Sequence, residues 1–138
     1  MPPPRWRFPA NRGTSPPTTA MRSTIVFLGQ TYSPDAPRWF DASWAGVERT
    51  ERVRYTIVHE ERLDLEKIAE DAFAVFNAPD ECLNERQLRR RGAYRGPSLS
   101  VGDIVQVWRD GVLYAEALCV SSGWDIRMTL TELIMSEI

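Results

Sequence analysis

The chain has 138 residues, of which 43% are hydrophobic and 26% charged, with a formal net charge of −2. That is the makeup of one globular domain with a single core, and it supplies no overall field to attract nucleic acid. Cys82 and Cys119 form no C-x-x-C pair, and with the lone His59 they cannot complete a zinc site.

The two cysteines read as buried free thiols of a reducing compartment. The N-terminus carries no apolar signal core, and no apolar run approaches membrane-spanning length. The expectation is a cytoplasmic protein with no membrane contact and no cofactor. The basic residues are sixteen Arg and one Lys, Lys67. This bias fits GC-rich coding, and Arg is also the better residue for forked and stacked contacts.

Residues 1–22 open as a Pro- and Arg-rich stretch that cannot bury enough surface to fold alone, and they are expected to form a disordered tail. The domain is placed at 23–138. Ser23 to Tyr32 contains the apolar run Ile25 to Leu28, which predicts a buried strand. A Pro-rich loop follows. Trp39, Phe40 and Trp44 then put three large aromatics within six residues. They either cap one end of the core or anchor a partner.

Glu51 to Glu60 alternates, with Val53, Tyr55, Ile57 and His59 on one face, and predicts a second strand. Leu65, Ile68, Ala69, Ala72, Phe73 and Phe76 recur at helical spacing and predict a helix over 64–77 with Asp64 as its N-cap. Glu66, Lys67, Glu70 and Asp71 would form its solvated outer face. Asn84 and Gln87 have capping-box spacing, and Leu83 with Leu88 suits a hydrophobic staple. They predict a second helix over 85–91, extending at most to Tyr94. It holds Arg86, Arg89, Arg90 and Arg91, with Arg95 just beyond. Part of this cluster serves the helix dipole, and the same cluster could meet phosphate.

Asp110-Gly111 separates two β-rich runs and predicts a type I′ hairpin. An unbroken register would pair Val107 with Tyr114. It would also turn Ile104, Gln106 and Trp108 to the core together with Leu113, Ala115, Ala117 and Cys119. Trp124, Ile126, Met128, Leu130 and Leu133 predict a last strand or a short helix capped by Thr129 or Thr131. The fold class is therefore α+β: a small, mostly antiparallel sheet, open or curled as a half-barrel, packed by two or three helices.

The segments VFNAPDE (75–81), SLSVGD (98–103) and GW (123–124) recur together in one pattern, spread over residues 53–124. The pattern resembles uncharacterised small proteins of actinobacterial phages, plasmids and integrated elements, and is similar to YodL-like domains. The resemblance implies a mobile-element setting and carries over no catalytic residue. A further similarity, through V-G-D at 101–103, is to PUA-like and ASCH domains that bind RNA or modified bases. The lysine-centred ASCH motif has no counterpart here, because Lys67 is the only lysine and falls on the first helix.

No nucleophile elbow, phosphate-binding Gly loop or metalloprotease motif is present. The sequence points to a non-enzymatic accessory protein that binds a protein partner. The alternative is a nucleic-acid-binding module using the 86–95 basic cluster. The candidate binding residues are Arg86, Arg89, Arg90, Arg91, Arg95, Trp39, Phe40 and Trp44.

Overall fold

The computed structural model describes residues 21–31, 42–45, 47–60 and 63–129. Five strands form one antiparallel sheet: β1 (Met21–Gln30), β2 (Arg49–His59), β3 (Ile104–Arg109), β4 (Val112–Val120) and β5 (Gly123–Arg127). Their spatial order is β2-β1-β3-β4-β5, so among the described residues β2 and β5 are the two edges of the sheet. Two helices, α1 (Leu65–Asn77) and α2 (Glu85–Arg91), lie between β2 and β3 in the chain, with a short 3-10 turn over Asp80–Cys82. The α+β class holds, with one five-stranded antiparallel sheet and two helices among the described residues. No described helix is long and apolar enough to cross a membrane.

The core lies between α1 and one sheet face. Ile25 and Phe27 of β1, Ile57 of β2, Val105 and Val107 of β3, and Ala115, Ala117 and Cys119 of β4 meet Ala69, Ala72, Val75 and Phe76 of α1. Ala69 and Ala72 are fully buried. Their small side chains let the helix approach the sheet closely. The Asp64 side chain accepts a hydrogen bond from the Lys67 amide and starts α1 as predicted. Asn84 and Gln87 complete the capping box at the start of α2. That helix stops at Arg91, where Gly92 takes φ of 57°.

Four expectations are corrected. Strand β1 begins at Met21, not Ser23, because β2 runs far enough to pair Met21 with His59 and Arg22 with Val58. The hairpin turn has positive φ at Asp110 and Gly111 as expected, but the ladder shifts at Tyr114. Val107 therefore pairs with Ala115, not Tyr114. The extra residue lets Val105 and Val107 of β3 share the α1 face with Ala115, Ala117 and Cys119 of β4. An unbroken register would have sent one of the two sets to the opposite face. Tyr114 lies under the Arg109 guanidinium, 4.9 Å from ring centroid to carbon. Cys82 is exposed, and only Cys119 is buried. Asp71 is not on a solvated face but holds α2, as described below. The expected strand after Gly123 is β5, whereas Leu130, Thr131 and Leu133 lie outside the described residues.

On the sheet face away from α1, Val26, Ile104 and Leu118 are also buried. A polar chain crosses this face. The Trp108 indole donates to Gln106, Gln106 donates to Glu116, and Arg127 donates to Glu116 from two nitrogens.

The resemblance motifs have structural jobs here. The Asn77 side chain donates to the Leu99 carbonyl and accepts from the Leu99 amide, each at 2.7 Å. Asp103 accepts from the backbone amides of Gln30 and Ser100 at 3.0 and 2.8 Å. Together they fasten the 98–103 loop to the end of α1 and to β1. Burial pushes the Asp103 carboxyl up, opposed by these two amides and by nearby Arg52 and Arg49.

Candidate interaction groove

Helix α2 crosses beside edge strand β2 and is held there by α1. Arg90 pairs with Asp71 at 2.5 Å, and Gln87 donates to the other Asp71 oxygen at 2.9 Å. The Arg90 guanidinium also lies over the Tyr55 ring at 5.6 Å. These contacts fix the helix at a distance from the strand, leaving a groove of about 640 Å³. Its walls are Tyr55, Thr56, Ile57 and Val58 on β2, and Arg86, Arg89 and Arg90 on α2.

The two walls have a simple origin. Residues i, i+3 and i+4 share one helix face, so Arg86, Arg89 and Arg90 point the same way. Successive strand residues point to opposite faces. A hollow bordered by four consecutive strand residues therefore runs along the strand's edge, where backbone groups are presented. Val58 points to the sheet face opposite Tyr55 and Ile57 and is 63% exposed. At the base of the groove, burial and then the Asp71 carboxylate push the Tyr55 hydroxyl above the usual phenol range, against the opposing pull of Arg90.

The basic cluster expected from sequence is divided by the structure. Arg91 is almost buried, its side chain 13% exposed. It donates to the Val75 carbonyl at 2.7 Å, to the Ala78 carbonyl and to Asp80. It thus closes the C-terminal end of α1. Arg95 turns back to the carbonyls of Gly92 and Tyr94. Arg89 makes an exposed i,i+4 pair with Glu85, and Arg86 is exposed at the groove. The five arginines do not form one continuous patch.

Of the three aromatics, Trp39 and Phe40 lie outside the described residues. Trp44 is engaged within the chain: its indole donates to Asp125 at 3.0 Å, and Arg127 stacks on it at 4.0 Å. It packs on β5 rather than standing free as an anchor.

Sequence spacing also missed a pairing across β1 and β2. The Ser23 hydroxyl is 2.7 Å from His59 Nε2, and His59 Nδ1 is 2.5 Å from the Glu60 carbonyl. The connectivity is that of a serine activated by a histidine. Ser23 is only 2% exposed, however, and a substrate carbonyl has no way to its oxygen. The pair ties the strand ends together. Among the described residues, no group of three His, Cys, Asp or Glu is placed to hold a metal ion. A second hollow of about 360 Å³ lies across α1 and the β4–β5 turn, where Phe73 and Trp124 meet edge-to-face at 6.4 Å.

No family model matches the chain, and comparisons with curated proteins and with solved structures return no match either.

Proposed function

We propose that the chain is a protein-binding module and that the groove between β2 and α2 is its binding surface. The carrying observation is the groove's composition: β2, an edge strand among the described residues, faces a row of arginines. An edge strand offers unpaired backbone groups to another chain. The resemblance to phage and plasmid proteins adds an expected setting, as an accessory protein of a mobile element.

The nucleic-acid reading loses its main support. Arg91 and Arg95 serve backbone carbonyls, and Arg90 is neutralised by Asp71. The aromatic residue in the groove, Tyr55, lies beneath Arg90 and is not a free stacking platform for bases.

The test is a parallel selection on the full chain, using a random peptide library and a random single-stranded nucleic-acid pool. Val58→Trp, which puts a bulky side chain on the strand that borders the groove, serves as the counter-target. Peptides should be enriched on the wild type and lost on V58W. A nucleic-acid pool retained at moderate salt and lost in Arg86→Gln/Arg89→Gln would overturn the proposal. So would peptides that bind V58W equally well.

A further inference from the structure

We infer that the groove takes up an acidic, extended segment of a partner protein, which joins the sheet as a sixth strand against Tyr55–Val58. This inference rests on the groove being a protein-binding surface, and adds the conformation and charge of what enters it.

The strand's own sequence marks where addition can occur. Long edge strands are normally guarded by charges, bulges or cover. Strand β2 is guarded in this way over its first half. Arg49, Glu51, Arg52 and Arg54 stand there, and the ladder is irregular opposite Phe27 and Leu28. From Tyr55 to Val58 the strand reads Tyr-Thr-Ile-Val, uncharged and rich in β-forming residues. The unguarded half is the half that α2 borders. It is also paired in unbroken register with β1, from Ile25–Tyr55 to Arg22–Val58. A new strand would meet a regular template.

The opposite wall sets the charge of the occupant. Arg86 is exposed, and the Glu85 partner of Arg89 is itself largely in solvent, with a side chain 88% exposed. Both guanidinium groups are available to a carboxylate on the incoming segment, and Arg is suited to meet it with a forked contact. The same row disfavours a second copy of this chain. Two-fold pairing along Tyr55–Val58 would bring the arginines of one α2 toward those of the other, placing like charges together.

The experiment uses peptides selected on the full chain from the random library, resynthesised with a fluorescent label. They should be rich in Asp and Glu interspersed with β-forming residues. Arg86→Glu/Arg89→Glu should weaken their binding about tenfold or more. The peptides are then N-methylated at alternate amides in two complementary sets. A strand on an edge directs only every second amide to its neighbour. One methylated set should therefore abolish binding, and the other should be tolerated. Peptides that depend on Val58 but tolerate both sets, or lack any acidic excess, overturn the added strand while leaving the protein-binding role in place. Failure to select any peptide removes both.

Discussion

The side-chain amide of Asn77 holds both backbone groups of Leu99, donating to its carbonyl and accepting from its amide at 2.7 Å each. One residue at the end of α1 thereby imitates a strand neighbour for the loop that launches β3. Leu99 is 1% exposed, so water cannot replace a lost partner easily. Asn77→Ala should cost about 2 kcal/mol in urea denaturation. Asn77→Asp should cost at least as much, because a carboxylate would face the Leu99 carbonyl. A midpoint unchanged in both variants would show that the clamp contributes nothing to stability.

The Asp103 carboxyl provides a pH test with a definite sign. Burial holds its folded value above the ordinary one despite its hydrogen bonds from Gln30 and Ser100. The folded state thus binds the proton more tightly than the unfolded state. This contribution is present below the unfolded value of 3.8 and is lost as pH rises through the folded value. Asp103→Asn keeps one acceptor oxygen but turns its amide donor toward a backbone amide, costing about 1–3 kcal/mol. Its stability should lack the decline with rising pH that Asp103 imposes. The gap between wild type and variant should therefore be wider at the acidic end of the window than above it. Denaturation midpoints measured across the window would show a constant gap if the carboxyl does not titrate in this way.

Gly111 has φ of 77° and open space where a side chain would go. The cost of a substitution there is backbone strain rather than a clash. Gly111→Val should lower stability by about 1–2 kcal/mol. Asp110→Asn should be close to neutral, since Asn also tolerates the φ of 52° that Asp110 adopts. Equal melting temperatures for Gly111→Val and the wild type would contradict the turn geometry.

What could be read in the sequence was what neighbouring residues decide. The caps at Asp64 and at Asn84 with Gln87, and the turn at Asp110-Gly111, lie within a few residues of everything they bond. The shift at Tyr114 was not legible, because it depends on which face of β3 the helix α1 covers. Nor was the partner of Trp44, which is Asp125 on the far edge of the sheet. The arginine cluster was visible as composition, but its division was not. Arg91 reaches carbonyls at the end of α1 only because the two helices pack together. One signal of the groove does stand in the sequence: an uncharged Tyr-Thr-Ile-Val stretch in an otherwise charged strand.

The division of the cluster gives the arginines unequal weight in stability. Simultaneous replacement of Arg86, Arg89, Arg90 and Arg91 would be a clean test of binding only if all four were surface charges. They are not. Arg91 satisfies the carbonyls of Val75 and Ala78 and pairs with Asp80, while Arg86 is exposed at the groove. Arg91→Gln should lower stability by about 2 kcal/mol or more, since it leaves carbonyls at the end of α1 without a charged donor. Arg86→Gln should stay within about 0.5 kcal/mol of wild type. Arg90→Gln should fall between them, losing the Asp71 pair and the stack on Tyr55. Urea denaturation of the three single variants ranks them directly. If Arg91→Gln proved as stable as Arg86→Gln, the helix-closing role of Arg91 would be lost, and the five arginines would again have to be treated as one surface patch.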